Sequence, residues 1–213
     1  MRIRDVMSTN VVTIPSSTSL ADAKRIMDFH RVRRLPVVDR NKLVGIVSRD
    51  SLERAGPSKL TTFSIHELTY LLSKITVKEV MTTDLVTVPP DATVEEAVAK
   101  AQGRAVGSVL VVEDGQLVGI ATTNDFFYKI VNPILGIGQP GSRISVRGGG
   151  GSEDVRRVLD VVRELGIGVM MVFTIVHPET GKQDLTLHLD TEDPSKVIEE
   201  LEGQGYEVDW RRR

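Results

Sequence analysis

The sequence predicts an α+β protein with two copies of a βαββα unit followed by a separate βαββαβ unit. Three observations predict it: a gap-free internal duplication, a shift to glycine and proline at residues 132–141, and a new order of apolar segments after that shift. At 213 residues, 40% hydrophobic and 26% charged, the chain suits one large or two small domains. We expect domains at 1–75, 76–131 and 142–213, with a linker at 132–141.

The duplication is the strongest signal. Leu117-Val118-Gly119-Ile120 matches Leu43-Val44-Gly45-Ile46, and the same offset in residue number relates further segments. These are Val6-Met7 and Val80-Met81, Val12 to Pro15 and Val86 to Pro89, Ala23 and Ala97, and Val37-Val38 and Val111-Val112. Because the offset never changes, the repeat is a structural module, spanning Arg2 to Arg54 and Thr76 to Tyr128. Two residues related by this offset are called equivalent below.

Each repeat begins with a short β-branched segment that ends in proline, which predicts a strand. Thr93 with Glu96, and Ser19 with Asp22, have the spacing of a helix N-terminal capping box. Two apolar runs joined by a polar corner follow and predict a hairpin; in the second repeat the corner is Glu113 to Gln116. A short helix closes each unit, and Ser64 with Glu67 predicts a connecting helix carrying Leu68, Leu71, Leu72 and Ile75.

The C-terminal part predicts the βαββαβ order of ferredoxin-like domains. Its predicted elements are a strand at Ser142 to Arg147, a helix capped by Ser152, strands at Ile167 to Val176 and Asp184 to Leu189, a helix starting at Asp193-Pro194, and a strand at Tyr206 to Trp210.

The two repeats resemble the cystathionine-β-synthase-type (CBS) domain, and the pair resembles a Bateman module. The resemblance rests on Val80-Met81, Val86 to Pro89, the Gly119-x-x-Thr122-x-x-Asp125 signature, and their equivalents in the first repeat. The segment His30 to Asp39 is also similar to the part of the AMP-activated kinase gamma subunit that holds nucleotide phosphates. The tail resembles an ACT domain, and the combination resembles the acetoin-utilisation group of bacterial regulatory proteins.

Asp125 is the candidate ribose ligand, because one carboxylate can accept hydrogen bonds from both hydroxyls of a diol. Thr122 can add a hydroxyl contact at a helix start, although a threonine there also serves as a plain helix cap. In the first repeat Ser51 is equivalent to Asp125, and the carboxylate of Asp50 falls one residue early. A one-residue shift rotates a helical side chain by about 100°, so we expect a weakened or vacant site around Ser48, Asp50 and Ser51.

Basic residues after the first long helix are candidate phosphate ligands, because guanidinium groups offer paired donors that stay charged. They are His30, Arg31, Arg33 and Arg34, with Arg104 at the matching place in the second repeat. A solvated charged face is the alternative for Arg33 and Arg34. Thr87, Val88 and Val109 to Val111 could line an adenine slot, and plain sheet core is the alternative for each of them.

Other functions lack a basis in the sequence. The net charge of −2 gives no general attraction to nucleic acid or membranes, and three tyrosines with one tryptophan make a poor stacking platform. Cysteine is absent, the four histidines lack ligand spacing, and no nucleophile motif occurs, so we expect neither a metal site nor an enzyme. The glycines at 136, 138 and 141 lack the strand and helix of a dinucleotide fingerprint. No leader is seen at Met1, and the apolar run from Gly166 to Val176 is too short to span a bilayer, so we expect a cytoplasmic protein.

We therefore expect a regulatory protein that senses an adenosine nucleotide and passes the signal to its tail or to a regulated enzyme or transporter partner. AMP, ADP or ATP is the expected ligand, with S-adenosylmethionine, NAD and a cyclic dinucleotide left open. The CBS and ACT resemblance also implies a homodimer. The alternative is an amino-acid sensor in which the ACT-like part binds the ligand and the CBS pair is an oligomerisation scaffold.

Overall fold

The computed structural model describes residues 1–55, 70 and 73–211, which form two compact units, Met1–Lys129 and Ile130–Arg213. The first unit holds both repeats. The helix predicted around Ser64 and Glu67 lies outside the described residues, as do Leu68, Leu71 and Leu72. Within the described ranges, none of the helices is long and apolar enough to cross a membrane.

The two repeats follow the predicted order of elements. The first contains α1 (Ile3–Val6), α2 (Leu20–His30), β1 (Arg34–Asp39), β2 (Lys42–Ser48) and α3 (Arg49–Ala55). The second contains a 3₁₀ turn (Val77–Glu79), β3 (Thr87–Val88), α4 (Val94–Gly103), β4 (Ser108–Glu113), β5 (Gln116–Thr122) and α5 (Thr123–Phe126), after which a π-helical turn spans Phe127–Val131.

Local sequence chemistry explains these boundaries. The hydroxyls of Ser19 and Thr93 each accept a hydrogen bond at 3.1 Å from the backbone N–H three residues ahead, which confirms the N-cap half of the predicted capping boxes. Asp114 and Gly115 both have positive φ, which the tight β4–β5 hairpin requires. The first predicted strand of each repeat is shorter than expected: Ile14 makes a single parallel bridge to Val37, and β3 has two residues. Proline follows each of them and has no N–H to extend the pairing.

The repeats exchange their leading segments. Ser8 of the first repeat and Ile120 of the second form two backbone hydrogen bonds of 2.9 and 3.0 Å. Thr82 and Ile46 form the reciprocal pair at 2.9 and 3.0 Å. Val77, which is fully buried, belongs to the apolar core of the first repeat. Each repeat is therefore completed by the other.

Glycine permits this exchange at two equivalent places. A Cβ added to Gly119 would lie 2.3 Å from the sulfur of Met7, and one added to Gly45 would lie 2.5 Å from the sulfur of Met81. Real Cβ contacts are longer, so a side chain at either position would force the methionine of the other repeat to move. The matching glycines of the duplication are thus the places where the repeats pack on each other.

The second unit contains α6 (Asn132–Ile134), β6 (Ser142–Val146), α7 (Ser152–Glu164), β7 (Val169–Val176), β8 (Gln183–Leu189), α8 (Ser195–Gly203) and β9 (Val208–Arg211). The sheet is antiparallel in the order β7-β8-β6-β9, which is compatible with a ferredoxin-like arrangement. Its buried core includes Ile144, Leu185, Leu187, Val162 and Leu201.

Two helix starts differ from prediction by one residue. Gly151, in extended conformation, is the N-cap of α7, so Ser152 is its first helical residue and not its cap. Pro194 is the N-cap of α8 and not its first helical residue. In both cases the element exists as predicted, and the cap is decided by the dihedral angles of the residue before the helix.

The segment predicted as a linker, 132–141, contacts the sheet of the second unit. The carbonyl of Pro140 lies 2.9 Å from Nε2 of His188, and the guanidinium of Arg143 donates to the carbonyl of Leu135. His188 is buried. Two residues of the segment, Leu135 and Pro140, are therefore hydrogen-bonded to side chains of the sheet.

The Gly119 contact gives a testable expectation for the exchange. Gly119→Ala should lower the free energy of unfolding by about 1–3 kcal/mol, because the new methyl group overlaps the Met7 side chain. In a Met7→Ala background the same change should cost clearly less, a coupling that a double-mutant cycle in urea measures. Additive effects of the two changes would contradict the exchange.

Candidate functional site

A cleft of about 580 Å³, the large cleft, lies between the repeats of the first unit. Its lining comes from both: Ser8, Asn10, Val11, Val12, Arg31, Val32, Arg33, Arg34 and Asp50 from the first repeat, and Ile120, Thr122, Thr123, Asn124 and Asp125 from the second. Because the first repeat's leading segment bridges to Ile120, its residues 8–12 reach the signature at 119–125.

The duplication produces a second, smaller cleft of about 250 Å³, the small cleft. Its lining includes Thr82, Leu85, Val86, Val106 and Ser108, which are equivalent to Ser8, Val11, Val12, Val32 and Arg34. It also includes Ile46 and Ser48, which are equivalent to Ile120 and Thr122. The two clefts are therefore copies with different side chains.

The side chain of Asp125 completes the capping box at the N-terminus of α5. Its Oδ2 accepts hydrogen bonds from the backbone N–H of Thr122 at 2.9 Å and from the Thr122 hydroxyl at 2.7 Å. Its Oδ1 accepts from the Ser8 hydroxyl at 3.1 Å and forms an ion pair with Lys129 at 3.0 Å. The side chain is 13% exposed. Burial acts to raise the pKa of Asp125, but the Thr122 hydrogen bonds and Lys129 outweigh it and hold the pKa below its usual value.

The matching cap in the first repeat has no carboxylate. Ser51 Oγ lies 2.9 Å from the backbone nitrogen of Ser48 and 3.1 Å from its hydroxyl, so two serines replace the Thr122–Asp125 box. Asp50 lines the large cleft, where it pairs with Arg33 at 3.3 Å. The small cleft contains a different carboxylate, that of Asp84, which is paired with Arg104.

Three arginines lie along the large cleft. Arg31 ends α2 in the left-handed conformation, with φ of 54°. Arg34 is half-buried and lines both clefts, and a Cβ at Gly107 would lie 2.6 Å from its guanidinium. Within the described part of the chain, neither Arg31 nor Arg34 has an ion-pair partner, whereas Arg33 pairs with Asp50. Their counterparts in the small cleft are Ala105, Gly107 and Ser108, which carry no charge.

Several sequence candidates lie elsewhere. Val88 and Val109 are core residues, 2% and 0% exposed. Thr87 and Arg104 line a separate pocket of about 390 Å³. His30 is exposed, and its ring packs edge-on against Phe29 at 4.9 Å. The structure thus brings Thr122, Asp125, Arg31 and Arg34 together.

The apolar part of the large cleft was missed by sequence reasoning. It comes from Val11, Val12, Val32 and Ile120. Three of these belong to the first repeat, whereas the sequence predicts the adenine slot in the second. The duplication indicates that equivalent residues of the two repeats line equivalent clefts. Only the exchange of leading segments decides which repeat supplies each wall of a cleft. No cluster of three or more His, Asp or Glu side chains that could hold a metal ion occurs among the described residues.

Known proteins resemble the first unit. A curated inosine-5'-monophosphate dehydrogenase from Korarchaeum cryptofilum is 32% identical over 133 residues, 62% of this chain but 25% of that enzyme. An L-aspartate semialdehyde sulfurtransferase from Methanocaldococcus jannaschii is 29% identical over 58% of this chain and 22% of that enzyme. The chain therefore spans only about a quarter of these relatives.

Two solved structures also resemble this chain over roughly two thirds of its length. A putative acetoin utilization protein (AcuB) from Vibrio cholerae is 31% identical, with a TM-score of 0.52 over 66% of this chain and 98% of that one. The CBS domain pair of protein MJ0100, in complex with 5-methylthioadenosine and S-adenosyl-L-methionine, is 27% identical, with a TM-score of 0.52 over 62% of this chain and 97% of that one. The sequence profile of the CBS domain matches residues 3–57 and 77–132. The chain therefore belongs to the CBS domain family and carries a tandem CBS domain pair.

Proposed function

We propose that the protein is a regulatory sensor that binds an adenosine nucleotide of the AMP, ADP or ATP class in the large cleft. The observation that carries this proposal is the joint presence of Asp125, Arg31 and Arg34 around one cleft. A carboxylate suits a ribose diol, guanidinium groups suit phosphate, and the apolar side chains of Val11 and Val12 suit a base. The adenosine compounds bound to the MJ0100 pair support the base and the sugar.

The charge of the large cleft favours a phosphorylated ligand. Its lining carries the guanidinium groups of Arg31, Arg33 and Arg34, against the carboxylates of Asp50 and Asp125. Asp50 neutralises Arg33, and Lys129 neutralises Asp125, which leaves two cationic groups for the ligand. Phosphate is attracted by that excess, whereas the sulfonium of S-adenosylmethionine is repelled.

One high-affinity site per chain follows from the inequality of the clefts. The small cleft has about 250 Å³, neutral residues at the three arginine positions, and a Ser48–Ser51 cap in place of the carboxylate cap. A nucleotide there would find no carboxylate at the position of Asp125 and no guanidinium at the positions equivalent to Arg31, Arg33 and Arg34, while Arg34 itself and Arg54 also line this cleft. We propose that this site is weak or vacant.

Regulation would operate through linkage. A ligand that contacts both repeats favours the arrangement of the pair that closes around it, and it shifts that equilibrium by its difference in affinity for the two arrangements. We propose that the ACT-like tail or a partner reads this arrangement.

Asp125→Ser tests the ribose contact with little damage to the cap, because Ser51 already closes the matching cap in the first repeat. AMP and ATP affinity measured by calorimetry should fall about tenfold or more, since a charged hydrogen-bond acceptor is lost. Asp50→Ser, which removes the other carboxylate of the cleft, is the control and should leave affinity equal or slightly tighter. Native affinity in Asp125→Ser, or thermal stabilisation by amino acids but not by nucleotides, would contradict the proposal.

Arg31→Gln tests the phosphate contact. AMP and ATP should bind about tenfold more weakly, while adenosine, which has no phosphate, should keep its affinity. Arg25→Gln, on the same helix but paired with Asp22 and 83% exposed, is the matched control. An equal loss for adenosine and AMP would show that Arg31 acts on the fold and not on phosphate.

A second copy of the chain is the proposed partner of the edge strand β7. Ile175 and Val176 on this strand are 57% and 55% exposed, and Met170 is 41% exposed. An apolar edge with unpaired backbone groups is a template for pairing. Light scattering should give twice the chain mass, and Ile175→Lys should give the monomer while Glu179→Lys, in the following turn, should not. A native monomer would remove this proposal.

A further inference from the structure

Lys129 lies one helical turn after Asp125, and its ammonium makes three contacts. It is 3.0 Å from Asp125 Oδ1, and it donates hydrogen bonds to the carbonyls of Val6 at 2.6 Å and Met7 at 3.4 Å. The lining of the large cleft includes Ser8 and Asp125 but not Lys129. The ammonium therefore contacts the carboxylate without lining the large cleft.

The Asp125 carboxylate has all its acceptor positions in use. An ionised carboxylate offers about four lone-pair sites, and Thr122 supplies two donors, Ser8 one and Lys129 one. A diol entering from the cleft must replace a donor on the cleft side. That donor is the Ser8 hydroxyl, whose hydrogen bond to Oδ1 is 3.1 Å long. Thr122 and Lys129 can keep their contacts.

Lys129 also joins two walls of the cleft. Val6 and Met7, whose carbonyls it binds, directly precede the lining residues at positions 8–12. One ammonium thus fixes the carboxylate and the start of the segment that supplies the apolar lining. A shift of this segment would move the proposed sugar and base contacts together.

The duplication supports a joint role for the lysine and the carboxylate. In the first repeat, Ala55 is equivalent to Lys129, and Ser51 is equivalent to Asp125. Ser8, by contrast, is equivalent to Thr82, which keeps a hydroxyl. The repeat without the carboxylate is therefore also without the ammonium.

We infer that Lys129 is a positioning residue of the nucleotide site, which holds the Asp125 carboxylate and the Ser8–Val12 segment in register while the ribose displaces the Ser8 hydroxyl. This inference rests on the proposed function. Lys129 acts through Asp125 and the backbone and does not touch the ligand.

The pH dependence of binding separates this role from a structural one. Asp125 must be ionised to accept a ribose hydroxyl in the place of the Ser8 hydroxyl, and it faces Lys129, Thr122 and Ser8, with Arg31, Arg33, Arg34 and Asp50 along the same cleft. Lys129 is one of the groups that lower the pKa of Asp125. Its removal should raise that pKa, so binding should be lost at a higher pH on acidification. AMP itself titrates in the same way with the native chain and with the variant, so its titration does not contribute to the difference between them.

The test is calorimetry with AMP on the full chain from pH 7 down to about pH 3, because the pKa of Asp125 in the native chain lies below its usual value. Lys129→Met should bind about fivefold more weakly at pH 7 and lose binding at a higher pH than the native chain. Lys129→Arg should restore both values, and Ser8→Ala should bind about twofold tighter, because the diol has one competitor less. Should Lys129→Met fail to fold, Lys129→Gln keeps a donor without the charge and gives the same readout.

The outcomes separate the two proposals. The acid midpoint is the pH at which half of the AMP binding is lost on acidification. If Lys129→Met changes neither the affinity nor this midpoint, while Asp125→Ser loses affinity, the role of Lys129 is overturned and the proposed function is not. The same holds if Lys129→Met weakens binding without moving the acid midpoint, since that indicates a structural role. Absence of AMP binding by the native chain would overturn the proposed function and this inference with it.

Discussion

Two backbone bridges, Ser8 to Ile120 and Thr82 to Ile46, join the repeats, and both clefts depend on them. Each bridge brings the leading segment of one repeat against the hairpin of the other. Gly119 and Gly45 make room for the methionines that precede the bridging residues. Each of these two clefts is therefore lined by both repeats, and a ligand that filled it would contact both. That is the physical condition for a ligand to bias their arrangement.

The two repeats have the same backbone fold but different side chains at the helix cap that follows the hairpin. The same turn after β2 and β5 is capped by hydroxyls in one repeat and by a hydroxyl and a carboxylate in the other. Both caps satisfy the helix start, so capping by itself does not require a carboxylate. A half-buried carboxylate carries a desolvation cost that a serine avoids. We propose that ligand binding accounts for this carboxylate and for the lysine that neutralises it.

The sequence predicted the elements well where the signal is local. Capping at Ser19 and Thr93, the hairpin at Asp114-Gly115 and the element order of the second unit all follow from neighbouring residues. Val88 and Val109, which fit an adenine slot by residue type, are buried in the sheet. Apolar character alone does not distinguish a pocket wall from a core. For the segment 132–141, composition predicts a linker but does not reveal contacts such as the one between Pro140 and His188.

The sequence by itself determined the duplication, its constant offset and the inequality of Asp125 and Ser51, because identities at fixed spacing need no structure. Tertiary structure alone decided which repeat supplies each wall of a cleft, and it alone brought Lys129 to Val6 and Met7, which lie near the opposite end of the duplicated region. The reason is that such contacts are set by how the packed repeats exchange their ends, and no local pattern encodes that choice.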